Sequence, residues 1–276
     1  MSMSRLKSPL LLVLMAASIS LGACQSDKAK RELAYVERPV EVLYNSAAKE
    51  LDTRDYEDAI QLFNEVERQH PYSEWARRST LMSAFAAYQS RRYDEAVDTA
   101  RRYISLNPGS EEAAYAYYLV ATSYFEQIVD VGRDQRTTEL AKASLDELLR
   151  RFPTTEYAKD AQLKMDMVDD QLAGKEMEIG RYYLRRQEHL PAINRFRKVV
   201  TDFDTTTHTP EALYRLVEAY MSVGLKGEAL AAAAVLGYNH PESDWYKTAY
   251  GIMDEEGLDP SQIPDSRKKG FLSRLF

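Results

Sequence analysis

The sequence contains very little cysteine, glycine or proline, and it has no excess of positive charge. Its single cysteine cannot form a disulfide within the chain. Eleven glycines and 10 prolines are few for a β-rich protein of 276 residues. Lysine and arginine number 36 against 43 acidic residues, which argues against a nucleic-acid-binding protein. What is present is a tyrosine-rich composition, 45% apolar and 29% charged, typical of a globular protein built from packed helices.

No group of residues has the spacing of a catalytic or metal-binding motif. None of the histidines forms a pair of the HExxH kind: His70, His189, His208 and His240. Three aspartates cluster without a nearby cysteine or histidine, and we interpret them as the solvated face of a helix: Asp166, Asp169 and Asp170. The sequence therefore predicts no metal, no cofactor and no enzymatic activity, and the lack of an acid–base pair disfavours a hydrolase.

The first 23 residues have the layout of a secretory signal peptide. Arg5 and Lys7 precede an apolar run over residues 9–21, which is too short to span a bilayer comfortably. The run ends in Leu-Gly-Ala followed by Cys24, a pattern that resembles the bacterial lipobox. Because the only cysteine of the chain stands where this motif requires one, we expect Cys24 to be lipidated and to become the mature N-terminus.

The residues after Cys24 indicate where the anchor is placed. An aspartate directly after the lipidated cysteine favours retention in the inner membrane, whereas this chain has Gln25. We therefore expect an anchor in the outer membrane, with the protein facing the periplasm. Several acyl chains on one residue make such an anchor stable. Residues 24–39 are polar and charged up to Pro39, and we interpret them as a tether.

One sequence frame recurs five times along the rest of the chain. An alanine is followed by apolar residues at +4 and +7, and in four of the five copies by proline at +12. The alanines are Ala59, Ala96, Ala141, Ala192 and Ala229. A small residue lets two helices approach closely, and the larger residues on the same stripe fill the hairpin between them. The fourth copy has Asp204 in place of proline. This frame predicts an all-α, helical-hairpin solenoid of about five tetratricopeptide-type repeats.

The spacing of the frames predicts where the array is irregular. We expect an insertion around residues 128–138 within the third repeat, and an additional helix over residues 156–172 with a joint at Gly174. The predicted organisation is two lobes: repeats one to three over residues 40–155, a linking helix over 156–173, and repeats four and five with a capping helix over 174–256. Residues 257–276 form a basic tail, which contacts anionic headgroups or another subunit or is simply solvated.

Tyr115 and Tyr118 are the candidate residues of a peptide-binding groove. They lie three positions apart and off the helical stripe of Tyr117. Grooves of helical repeat arrays accept extended or helical peptides. The alternative is that both tyrosines belong to the core between adjacent repeats.

Several local sequences, in this order, resemble the BamD family, also called ComL or YfiO. They are the lipobox, Arg133-Asp134-Gln135, Phe152-Pro153 followed by Tyr157-Ala158, Tyr182-Tyr183, and Ala192-Ile193-Asn194-Arg195. The resemblance implies an outer-membrane lipoprotein of the β-barrel assembly machine. It further implies that the N-terminal repeats receive unfolded outer-membrane proteins and that the C-terminal repeats bind the POTRA domains of the BamA-like barrel subunit, alongside other lipoproteins of the complex.

The resemblance also singles out Asn194 and Arg195 as partner-binding residues. On a helical wheel Arg195 lies at the edge of the buried stripe, where its guanidinium can reach the rim, while Arg197 points nearly opposite into solvent. The alternative is that Arg195 only braces the neighbouring repeat. A second candidate function also remains at this point, namely another periplasmic tetratricopeptide lipoprotein that coordinates envelope or cell-wall synthesis.

Overall fold

A computed structural model describes residues 37–262, and all regular structure within them is helical. The α-helices, in chain order, are α1 (Val40–Asp52), α2 (Tyr56–Gln69), α3 (Glu74–Gln89), α4 (Tyr93–Leu106), α5 (Ala113–Phe125), α6 (Arg136–Arg151), α7 (Glu156–Arg185), α8 (His189–Asp202), α9 (Thr209–Ser222), α10 (Lys226–Asn239) and α11 (Asp244–Glu255). A 3₁₀ turn, Pro260–Gln262, follows. The signal peptide, Cys24 and the basic residues after 262 lie outside the described residues.

Consecutive helices pair into five hairpins, as the repeated frame predicts. The pairs are α1 with α2, α3 with α4, α5 with α6, α7 with α8, and α9 with α10, and α11 covers the last pair. The alanine of every frame is fully buried, and every residue at +4 and +7 is at most 1% exposed. The predicted register is therefore confirmed in all five repeats. Helix α11, which begins after the N-cap Ser243, lies where the capping helix is predicted.

The second helix of each hairpin ends in the same backbone conformation whether or not proline follows. The C-cap residues have φ between −141° and −132°, and each donates its N–H to the carbonyl four residues earlier: His70, Asn107, Phe152, Phe203 and His240. Phe203 precedes Asp204, so the missing proline leaves the helix end unchanged. The cap hydrogen bond is enough to define it.

The turns inside four of the hairpins contain a residue with positive φ: Arg54, Arg91, Gln187 and Gly224. The next residue donates its N–H back to the carbonyl five positions earlier, for example Glu188 to Tyr183 at 3.0 Å. This is the Schellman arrangement, which usually employs glycine. Three of the four turns use a long polar residue instead, so no glycine marks these turns in the sequence.

The third repeat has a ten-residue loop, 126–135, where the insertion was predicted. Gln135, which is buried, organises this loop. Its side-chain amide donates to the carbonyls of Asp130 and Arg133 at 3.2 and 3.1 Å, and its oxygen accepts from the Thr138 hydroxyl at 2.9 Å. A long loop without secondary structure of its own is thus held by this buried amide together with Gln171 of α7, which donates to the carbonyl of Val129 at 2.7 Å.

The predicted joint at Gly174 is wrong, because α7 continues through it as one helix of 30 residues. Glycine weakens a helix interior by only about 0.5–1 kcal/mol relative to alanine, which neighbouring contacts easily override. A Cβ at position 174 would lie 3.1 Å from His208 Nε2 and 3.6 Å from Val131 Cγ2. Glycine at position 174 leaves space for His208 and Val131, which come from two different loops and pack against the helix. The linking helix and the first helix of the fourth repeat are one element, and the division into two lobes stays a prediction.

Candidate functional site

Within residues 37–262 no three histidine, cysteine or acidic side chains are placed to hold a metal ion. Over the same stretch, none of the helices combines the length and the apolar character needed to cross a membrane. The candidates for a functional site are therefore the surfaces suited to contact with proteins.

Tyr115 and Tyr118 lie together on α5, and the fold adds Tyr157 from the first turn of α7. Their ring centroids are 5.2 to 6.4 Å apart, and Phe85 of α3 lies 6.4 Å from Tyr115. All three tyrosines, here called the tyrosine cluster, are half-buried. They stand on first helices of consecutive hairpins. The sequence identified two members and missed Tyr157, which is 39 residues from Tyr118 and meets it only through repeat stacking.

One carboxylate fixes the polar end of the tyrosine cluster. The Tyr118 hydroxyl donates to Asp160 Oδ2 at 2.7 Å, and Lys164 Nζ lies 3.0 Å from the same oxygen. Burial raises the pKa of Tyr118 and Tyr115 well above the usual value. Burial opposes ionisation of Asp160, but the hydrogen bonds from Tyr118 and Lys164 outweigh it and lower its pKa. The cluster is thus a neutral aromatic surface bordered by the ion pair of Asp160 and Lys164, an arrangement suited to binding.

Arg195 contacts the neighbouring helix α7, as the bracing alternative predicts, but 41% of its side chain is still exposed. Its Nη1 donates to Glu176 Oε2 of α7 at 3.0 Å, and Lys198 Nζ donates to the other oxygen of Glu176 at 2.7 Å. Only 9% of the Glu176 side chain is exposed. Asn194 is exposed beside Arg195. Sequence reasoning found Arg195 at the edge of its stripe but missed Glu176, the buried anion that positions it.

Arg197 departs from the prediction that it points into solvent. It is half-buried and has an interaction partner. The reason is that α8 packs against α7 on one side and α9 on the other, so little of its circumference is free. A helical wheel that considers only one hairpin leaves out the contact with α9, and it therefore places Arg197 in solvent.

Known proteins resemble this chain over nearly its whole length. The family model YfiO, described as outer membrane lipoprotein, matches residues 36–236. A Caulobacter vibrioides protein named outer membrane protein assembly factor BamD is 54% identical over 96% of this chain and 87% of its own length. The Rickettsia prowazekii protein of that name is 43% identical, over 92% of this chain and 98% of its own. The protein of that name from Neisseria meningitidis serogroup A is 31% identical, over 89% and 96%. The chain belongs to the BamD (YfiO) family of outer membrane lipoproteins.

Proposed function

We propose that this protein is an outer-membrane protein assembly factor: a lipid-anchored helical scaffold that holds other proteins and carries out no chemistry itself. The observation that carries the proposal is the near full-length similarity to relatives named for that function. The hairpin array supports it, because stacked repeats offer extended surfaces for partners. Family membership also favours assembly over the alternative of coordinating cell-wall synthesis.

The anchor of the scaffold is Cys24, lipidated and embedded in the outer membrane. The lipobox and the absence of any other cysteine support this assignment. With Cys24→Ala we expect the protein to leave the outer-membrane fraction, since the acyl chains supply the membrane affinity. Fractionation of cells, with mass spectrometry of the N-terminal peptide, measures both location and acylation. Wild-type protein found in the soluble periplasm or the inner membrane contradicts the assignment.

The C-terminal repeats bind the POTRA domains of a BamA-like subunit through the surface around Asn194 and Arg195. Glu176 holds the guanidinium of Arg195 while 41% of the side chain stays accessible. A pre-oriented arginine can bind a partner carboxylate in bidentate fashion with little further loss of entropy. Other lipoproteins of the assembly complex are the remaining expected partners.

Arg195→Ala is expected to weaken binding to purified POTRA domains by about 1–3 kcal/mol. The melting temperature should change little, because Lys198 still neutralises Glu176. Titration calorimetry and thermal unfolding measure the two effects separately. Arg150→Ala on α6 is the matched control, since it removes the same charge from an exposed site in another repeat. A variant that melts early while its folded fraction binds normally would show that Arg195 only braces the repeats.

The tyrosine cluster receives segments of unfolded outer-membrane proteins. Neutral aromatic rings on successive first helices suit the apolar and aromatic side chains of such segments. Tyr115→Leu keeps apolar bulk but removes the aromatic face, and we expect it to weaken binding by about 1 kcal/mol. The measurement is fluorescence anisotropy with a labelled peptide copying the C-terminal strand of an outer-membrane barrel. The control is Tyr72→Leu, at a fully exposed tyrosine. Equal effects at both positions would exclude the cluster as the receiving surface.

A further inference from the structure

A cleft of about 310 Å³ opens between the ends of α8 and α10 and the start of α9. Its floor consists of the buried residues Val200, Leu213 and Val235, together with Thr209, whose hydroxyl donates to the carbonyl of Phe203. Its rim is polar and includes Asp204, Asn239 and His240. The cleft involves neither Arg195 nor the tyrosine cluster.

The polar groups at the rim have no partners among residues 37–262. The side chains of Asp204, Asn239 and His240 form no hydrogen bond or ion pair within that range. Burial lowers the pKa of His240, so its ring is neutral at pH 7 and keeps one N–H donor. Asp204 is the residue that replaces the proline of the repeat frame, so the one departure from that frame places a carboxylate at this cleft.

The first repeat contains the same end-of-helix sequence with its partner already bound. Gln69-His70-Pro71 there corresponds to Asn239-His240-Pro241. Gln69 Oε1 accepts a hydrogen bond from the backbone N–H of Arg38 at 3.0 Å, and the His70 ring donates to the carbonyl of Arg38 at 2.8 Å. The amide and the imidazole together hold both backbone groups of one residue in the chain before α1.

The first repeat also has a carboxylate, Glu65, which is paired with Arg68 and is affected by the charge of Arg38. The hydrogen bond from Arg68 lowers the pKa of Glu65, and the charge of Arg38 lowers it further. His70 and His240 also share the cap conformation common to all five hairpins, with φ −132° and ψ 55° at His70 and φ −136° and ψ 55° at His240. The first repeat thus serves as a template for the fifth.

The three middle repeats do not repeat this arrangement. The Asn107 side chain donates to the Tyr103 carbonyl of its own helix at 3.1 Å. Phe152 packs on Tyr117 with ring centroids 5.5 Å apart, and Phe203 is buried beneath Lys142. Among the five hairpins, only the first and the fifth pair an amide with a histidine, and in the fifth the pair has no partner among the described residues, 37–262.

We propose that this cleft binds an extended segment of a partner protein that carries a lysine or arginine. The side-chain oxygen of Asn239 accepts a hydrogen bond from the backbone N–H of that basic residue, and the ring of His240 donates one to its carbonyl. Gln69 and His70 make the same two hydrogen bonds to Arg38. The alkyl stem of the basic side chain lies over the three apolar residues of the floor, and its charge meets Asp204. The carbonyls at the ends of α8 and α10 add partial negative charge at the same place. The site goes beyond the proposed function, because it needs neither POTRA binding nor substrate receipt.

The test uses the full-length protein in detergent and the acetylated, amidated pentapeptide Val-Glu-Arg-Pro-Val, which copies residues 36–40. We expect saturable shifts of the amide resonances of Asp204, Asn239 and His240 in nuclear magnetic resonance spectra. Replacing the arginine of the peptide by norleucine should weaken binding at least about tenfold, the loss typical of a charged hydrogen bond.

Two variants test the rim, each with a reason to fold normally. Asp204→Asn keeps the shape and removes the charge, and His240→Phe places at this cap the residue that repeats three and four already carry. Each should weaken binding at least about tenfold at unchanged melting temperature. Asp202→Asn is the matched control for charge, because Asp202 accepts from Thr201 outside the cleft, and it should bind as the wild type does.

Three results would overturn the proposal. They are no shift at the cleft, unchanged affinity in both rim variants, or equal affinity for the norleucine peptide. A further result would show that the ligand comes from this chain itself. If neutralising Arg267, Lys268 and Lys269 together by serine tightens peptide binding tenfold, the occupant is the tail of this chain and not a partner.

Discussion

Phe196→Ala is expected to lower the free energy of unfolding by about 3–5 kcal/mol. The ring is fully buried at the centre of the cluster that joins α7, α8 and α9. It lies directly against Gly180 of α7, where an added Cβ would fall 2.8 Å from Phe196 Cδ1. Backbone packed this tightly on both sides cannot move in to fill the space, so the cavity stays open and the full cost applies.

Denaturant unfolding followed by circular dichroism measures this loss. Leu190→Ala, on the same helix, serves as the control because its side chain is 66% exposed. It should change the stability by less than about 0.5 kcal/mol. A loss below about 1 kcal/mol for Phe196→Ala would mean that α7 and α8 can close around the vacant space.

The second large effect is expected when Glu176 loses both of its cations. Arg195→Ala or Lys198→Ala alone leaves the carboxylate paired, and each should cost about 1 kcal/mol or less, as for partly exposed ion pairs. The double variant strands a carboxylate that is only 9% exposed. Breaking a buried pair in this way costs about 3 kcal/mol or more, which exceeds the sum of the single losses.

A double-mutant cycle on thermal unfolding measures this coupling. Adding Glu176→Gln to the double variant removes the stranded charge, and most of the stability should return. Strictly additive losses would show that water reaches Glu176 and compensates it. The same cycle separates the structural contribution of Arg195 from its proposed contact with POTRA domains.

Much of the fold could be predicted because one pattern is repeated. The buried stripe beginning at Ala59 recurs four more times, and each recurrence strengthens a frame that is weak alone. Helix interruption was harder to predict. Gly174 is a plausible break when only local propensity is considered, but the groups that pack around it, His208 and Val131, come from distant loops. Local sequence does not contain that information.

The same distinction between local and long-range information applies to the residues of the candidate site. The edge position of Arg195 follows from the period of its own helix, so a helical wheel predicts it correctly. Its anion Glu176 and the third tyrosine, Tyr157, belong to another helix, and only the stacking of repeats brings them into contact. Arg197 was misplaced for a related reason, since a second neighbouring helix covers the side that one hairpin leaves open.

The unbroken course of α7 has a mechanical consequence. About 45 Å of continuous hydrogen-bonded helix connects the third repeat with the fourth. The third repeat packs on the first half of α7 through Ala161 and Val168. The fourth packs on the second half through Ala173 and Met177. A flexible linker would absorb a twist applied at one end. A single continuous helix resists such a twist, so we expect a rotation of the C-terminal repeats to move Tyr157 of the tyrosine cluster as well, because Tyr157 lies in the first turn of that helix.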